Sequence, residues 1–107
     1  MMEADRLFSE LIRKPGKCYL CSSTFHLQCA HIISRGYKAV RYNPENALCL
    51  CQKCHFFYTY KPIEWEDLIK QKLPGRWEKL RKLALDYQKP DYRAIIEGLI
   101  GQIELIV

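Results

Sequence analysis

Two Cys-x-x-Cys pairs, Cys18-Tyr19-Leu20-Cys21 and Cys51-Gln52-Lys53-Cys54, set the tightest limit on how this chain folds. Two residues between sulfurs is the spacing at which a tight turn presents both to one tetrahedral ion, and two such turns complete a four-sulfur shell. A shared Zn2+ would therefore tie together segments about thirty residues apart in sequence. With four sulfurs bound, zinc keeps no open position, so its expected role is structural and its binding energy is folding energy for a small core. The two remaining cysteines, Cys29 and Cys49, have no partner at chelating spacing and read as small buried apolar side chains. The run Cys49-x-Cys51-x-x-Cys54 nevertheless offers three sulfurs for two places, so the register of the second pair stays open. Metal is preferred over disulfides because Met1–Arg13 alternates charged and apolar residues without an apolar signal core, which makes the reducing cytoplasm the expected location.

At 107 residues the chain has the size of one domain, 1–107, with room for a modest core. Its 49% hydrophobic and 27% charged residues suit a globular protein, and no long uncharged apolar run is present to cross a membrane. The net charge of +5 and pI near 8.9 favour a polyanionic partner such as DNA, although ordinary solvation of a basic surface accounts for that charge equally well.

Periodicity predicts an α+β fold. Asp5–Arg13 spaces Leu7, Phe8, Leu11 and Ile12 as a short helix that Pro15-Gly16 stops. A small irregular hairpin is expected next, with arms Leu27–Ser34 and Ala39–Tyr42, then a loop at Asn43-Pro44-Glu45-Asn46 and a helix through Cys54–Tyr58. These segments form a core over 17–60. The extension 61–107 reads as about three helices. Lys61-Pro62 opens one with Trp65, Leu68, Ile69 and Leu73 on one stripe, closed by Pro74-Gly75; Arg76–Gln88 follows with Trp77, Leu80, Ala84 and Tyr87 on one face. The last, from Asp91 onward, aligns Tyr92, Ile95, Ile96, Leu99, Ile100 and Ile103. That stripe is expected to pack on the domain, with a homodimer seam as its other use.

Between the cysteine pairs lie Gln28-Cys29-Ala30-His31-Ile32-Ile33-Ser34-Arg35 and Arg41-Tyr42-Asn43-Pro44-Glu45-Asn46-Ala47-Leu48, and His55 follows the last cysteine directly. With His, Asn and His in this order inside two zinc knuckles, Cys18–Thr59 resembles the HNH endonuclease family, the ββα-metal or His-Me finger nucleases. The likeness is greatest to their zinc-knuckled, NinG-like phage branch. The resemblance implies a ββα-metal core, a DNA substrate and, for a phage protein, a bacterial host cytoplasm. It further implies that His31 is the general base, that Asn46 braces the loop orienting it, and that His55 binds a catalytic Mg2+ or Mn2+, with Ni2+ a third choice. The chemistry suits these residue types: an imidazole titrating near neutrality can deprotonate water, and a divalent ion offsets charge at the phosphate.

Arg35 and Arg41 are candidate phosphate clamps, or else surface cations or salt-bridge partners. His26 has no motif support. Many HNH enzymes carry a metal-binding residue immediately before the first His, whereas here that residue is Ala30, which has no donor atom. Gln28 through a bulge, Asn46 or water are the open choices for the second ligand. Besides a metal-dependent endonuclease, the residues admit a catalytically inactive zinc-ribbon-like nucleic-acid-binding module, or an interaction protein using its Ile-rich terminal helix.

Overall fold

A computed structural model describes residues 2–86 and 89–106. Its elements are α1 (Met2–Ile12), β1 (Leu27–His31), a 3-10 turn (Pro44–Asn46), β2 (Ala47–Cys51), α2 (Gln52–Thr59), α3 (Pro62–Lys72), α4 (Arg76–Leu85) and α5 (Tyr92–Ile106). The fold is α+β, as the periodicity predicts. No helix among the described residues is long and apolar enough to cross a membrane.

The sheet corrects the expected hairpin. β1 pairs antiparallel with β2 in the register Leu27↔Cys51, Cys29↔Cys49 and His31↔Ala47, while residues 39–42 form turns. Ala47-Leu-Cys-Leu-Cys is buried at every position, so it lacks the polar alternation that marks a half-exposed strand. Gln52 N–H donating to the His26 carbonyl (2.9 Å) and Ile32 N–H donating to the Asn46 carbonyl (2.8 Å) extend the pairing at its two ends. β1 stops short of Ser34 because Ile33 N–H turns away from the ladder to the Asn46 side chain.

Burial on both faces of the ribbon follows from what covers each one. Alternation sends Ala30, Leu48 and Leu50 to the side covered by Trp65 and Ile69 of α3 and by Leu80 and Ala84 of α4. Ala47 and Cys29 take the opposite side, against Leu7, Phe8 and Leu11 of α1 and Leu99 of α5. Most of the terminal Ile-rich stripe is thus packed within the chain, with Ile95, Ile96 and Ile103 half-buried beside Leu99, whereas Ile100, expected on the same stripe, is exposed. Trp65 also anchors α3, donating its indole N–H to the buried Ile32 carbonyl at 3.0 Å. Gly75 sits at φ 82° just before α4, a left-handed conformation that glycine adopts without a Cβ clash. Tyr87 and Gln88, expected to extend that helix, lie outside the described residues.

Candidate metal centre and the adjoining cleft

The first cysteine pair is shaped by backbone hydrogen bonds. Ser22 N–H donates to the Cys18 carbonyl at 2.9 Å, Cys18 N–H donates to the Ser23 carbonyl at 2.8 Å, and Ser22 takes φ 64° to close the turn. Tyr19 N–H donates to the Cys49 carbonyl at 2.8 Å, fastening this knuckle to β2. Strand end and helix start supply the second pair: Cys51 is the last residue of β2 and caps α2, its sulfur accepting from Cys54 N–H at 3.5 Å.

The sulfurs of Cys18, Cys21, Cys51 and Cys54 all lie within 4.8 Å of one another, so the four cysteines form a cluster that can hold a metal. Cys21 Sγ and Cys51 Sγ are 3.6 Å apart. Zinc–sulfur bonds of about 2.3 Å in a tetrahedron give sulfur–sulfur edges of about 3.8 Å, so the spacing is compatible with structural zinc. Burial opposes ionisation of Cys18, but the N–H groups of Cys51, Cys21 and Leu20 outweigh it and bring its thiol down to about 6, toward the thiolate that zinc binds. The cluster takes Cys51 and leaves Cys49 facing Cys29 across the sheet. Burial pushes the Cys29 thiol up to about 12 and raises Cys49 as well, as befits small apolar fillers.

Beside the cluster, a cleft of about 620 Å³ runs between α1, β1 and the α2–α3 pair, lined among others by Asp5, Phe8, His31, Arg35, His55 and Thr59. The structure therefore brings both histidines and Arg35 to one cavity. His31 ends β1 and stacks on Phe8 with ring centroids 5.4 Å apart. Its Nε2 lies 2.9 Å from the Arg41 carbonyl. A carbonyl can only accept, so Nε2 carries the proton and Nδ1 keeps the lone pair. Burial, opposed by that hydrogen bond and reinforced by the charges of Arg35 and Arg41, holds His31 below the ordinary histidine value of 6.5.

Asn46 is wholly buried. Its Oδ1 accepts from Ile33 N–H at 2.8 Å, and its amide donates to the carbonyls of Ile33 (3.0 Å) and Val40 (3.1 Å). Both limbs of the 32–46 loop are thus pinned, and with them the Arg41 carbonyl that holds His31. A side chain so engaged and enclosed is not placed to reach an ion in the cleft. Asn46→Ala leaves the Ile33 N–H and carbonyl buried without partners, at about 1–3 kcal/mol per unsatisfied group, while the Val40 carbonyl keeps the Asn43 N–H at 3.1 Å. The expected result in a thermal melt is a drop of about 10 °C or more; a change within scatter would contradict this bracing role.

His55 is half-buried on α2, and Gln28 Oε1 lies 2.7 Å from its Nδ1. In that orientation Nδ1 donates and Nε2 is left with the lone pair. Burial lowers the His55 pKa. β1 is regular from Leu27 to His31, so no bulge carries Gln28 to the His31 side. Ala30, before His31, is packed in the core on the α3 side.

The two arginines differ. Arg35 is exposed at the cleft and has no ion-pair partner among the described residues. Arg41 instead grips Asp5 with both ends of its fork, Nε at 3.1 Å and Nη2 at 2.8 Å, and Tyr42 donates its hydroxyl to the same carboxylate at 2.9 Å. Of the three readings of Arg41, phosphate clamp, surface cation and salt-bridge partner, the last matches this geometry, and a phosphate contact would compete with Asp5. Burial raises the Asp5 pKa, but Arg41 and Tyr42 outweigh it, so the carboxyl sits below its usual range. Asp5 and Phe8, which sequence reasoning missed, make α1 a wall of the cleft; no local motif marks residues that act on partners more than twenty positions away.

Comparison with protein-family models, curated proteins and solved structures finds no match to this chain.

Proposed function

We propose that the protein is a metal-dependent DNA endonuclease in which β1, β2 and α2 form an HNH-type ββα core. The observation that carries this reading is the single cleft lined by His31 and His55, each with one ring nitrogen held by an oxygen acceptor and the other left with its lone pair. His31 Nδ1 takes the proton of the attacking water, a role that needs a neutral imidazole at working pH. The Arg41 carbonyl, fixed by Asn46, holds the ring at that task, and the Phe8 ring limits its rotation. Arg35 supplies a cation for a phosphate oxygen, and the net charge of +5 favours association with DNA.

His55 Nε2 would hold a divalent cation, whose charge would offset that developing on the phosphate and the departing 3′ oxygen. The donor set fits a loosely held ion completed by water and substrate phosphate, because Ala30 gives nothing and Asn46 is committed elsewhere. One imidazole suits Mn2+ or Ni2+ better than Mg2+. The expected result is nicking of supercoiled plasmid that needs added metal and runs faster with Mn2+ than with Mg2+. The buried Ala30 favours a second reading, an inactive nucleic-acid-binding module. Salt-sensitive DNA retention without nicking in any metal would establish that module and end the nuclease reading.

The lowered His31 pKa gives a pH signature. As pH falls through 6.5 the unfolded chain takes up a proton that the folded chain refuses until its lower pKa is reached. This contribution to stability is therefore complete above 6.5 and is lost as pH falls toward the depressed value. The base is neutral over the same upper range, so the acid limb of the nicking rate is expected below 6.5. A limb at or above 6.5 would contradict the assignment.

A further inference from the structure

The outer side of α2 and the residue that follows it carry aromatic rings that are half or more exposed. Phe56 is 66% exposed, Phe57 51% and Tyr60 73%, followed by Ile63 at 74%. The inner side of the same helix is occupied by Cys54 of the metal cluster, His55 of the cleft and Tyr58, all half-buried. Phe56 and Tyr60 are four residues apart and meet edge to face with centroids 5.3 Å apart, so they form one platform rather than two scattered rings. Exposed rings clustered in this way mark a contact surface more often than chance exposure does.

Charge says what that contact is. From Asn46 to Ile63 the sequence contains no Asp or Glu, and its two ammonium groups, Lys53 and Lys61, are both exposed. Lys53 stands three residues before Phe56 on the same helix, and Lys61 Nζ lies 5.2 Å from the centre of the Phe57 ring. A second copy of this chain, itself at +5, would bring like charges together, and the nearest acid in sequence, Glu64, stands beyond Ile63 at the start of α3. A polyanion with flat apolar faces satisfies rings and ammonium groups together. Duplex DNA hides its base faces in the stack, whereas a single strand leaves them free to stack on aromatic side chains.

We propose that the α2 platform binds single-stranded DNA, with bases stacked on Phe56 and Tyr60 and the backbone drawn to Lys53 and Lys61. This deepens the nuclease reading, because α2 presents His55 to the cleft on its inner side, so a strand held on the outer platform would be kept within one helix diameter, about 10 Å, of the site of cutting. Binding by itself requires no chemistry.

The test is fluorescence anisotropy with zinc-loaded protein and no other added metal. The probes are a short labelled oligothymidylate, an abasic strand of the same length and the corresponding duplex. Wild-type protein is expected to hold the oligothymidylate more tightly than the abasic strand. Phe56→Ala and Tyr60→Ala are each expected to weaken oligothymidylate binding about fivefold or more, leaving abasic binding and the melting temperature unchanged. Tyr60→Trp, which keeps a stacking face, is expected to retain the affinity.

Equal binding of the oligothymidylate and abasic strands, or indifference to both alanine substitutions, overturns the platform. So does concentration-dependent dimerisation that Phe56→Ala abolishes, because the occupant would then be a second copy. Plasmid nicking by the same preparations separates the two readings. Base-dependent binding without nicking removes the nuclease and keeps the platform; nicking with base-independent binding does the reverse.

Discussion

Stripping zinc from the protein is expected to unfold it. Structural zinc in small Cys sites contributes about 10–16 kcal/mol of apparent binding free energy near neutral pH, while a whole domain is stable by only about 5–15 kcal/mol. The cluster joins the segment after α1 to the junction of β2 and α2, so its loss frees both knuckles together with the Tyr19–Cys49 backbone link. Cys18 is fully buried, and an uncoordinated polar serine there would add a desolvation cost. Circular dichroism with increasing chelator should show loss of helix, and metal analysis should find about one zinc per chain before treatment. Cys18→Ser should reproduce the loss. Cys29→Ala, which removes a cysteine outside the cluster, should cost about 1 kcal/mol and leave zinc content unchanged. A protein that melts at the same temperature with and without chelator would refute the structural zinc site.

His31→Ala is expected to lower the nicking rate by about two to four orders of magnitude, the usual contribution of a positioned general base. The substitution also removes the ring stacked on Phe8, so a moderate loss of stability accompanies it. Rates should therefore be compared well below the melting temperature of the variant, with zinc content checked in parallel. His31→Gln keeps some of the volume and a donor for the Arg41 carbonyl but cannot take a proton, and it should be as inactive as alanine. Nicking that persists in both variants would remove His31 from the mechanism while leaving the zinc cluster unaffected.

The features legible in the sequence are those carried by local spacing. Two residues between cysteines define a chelating turn whatever surrounds it, and the 3.6-residue period of Leu7, Phe8 and Leu11, or of Ile95, Ile96, Leu99 and Ile103, defines a helix with one apolar side. For Asn46 a bracing role follows only from the family resemblance, and nothing in its spacing shows that Ile33 and Val40 are what it holds. The second strand was misplaced for a physical reason. Ala47–Cys51 is apolar on both faces because helices cover both sides of the ribbon, so it carries no alternation to betray it.

Tertiary structure alone decided the rest. It kept Cys51 rather than Cys49 in the cluster, because the end of β2 and the first turn of α2 bring Cys51 and Cys54 to the first knuckle while Cys49 faces Cys29 across the sheet. It committed Arg41 to Asp5, a pairing across 36 residues that no local pattern encodes. The sequence by itself determined which side chains could bind metal and which segments would coil into helices. Packing decided which of those side chains meet, because chelation and periodicity act over a few residues, whereas the cleft is built where α1, β1 and α2 converge from distant parts of the chain.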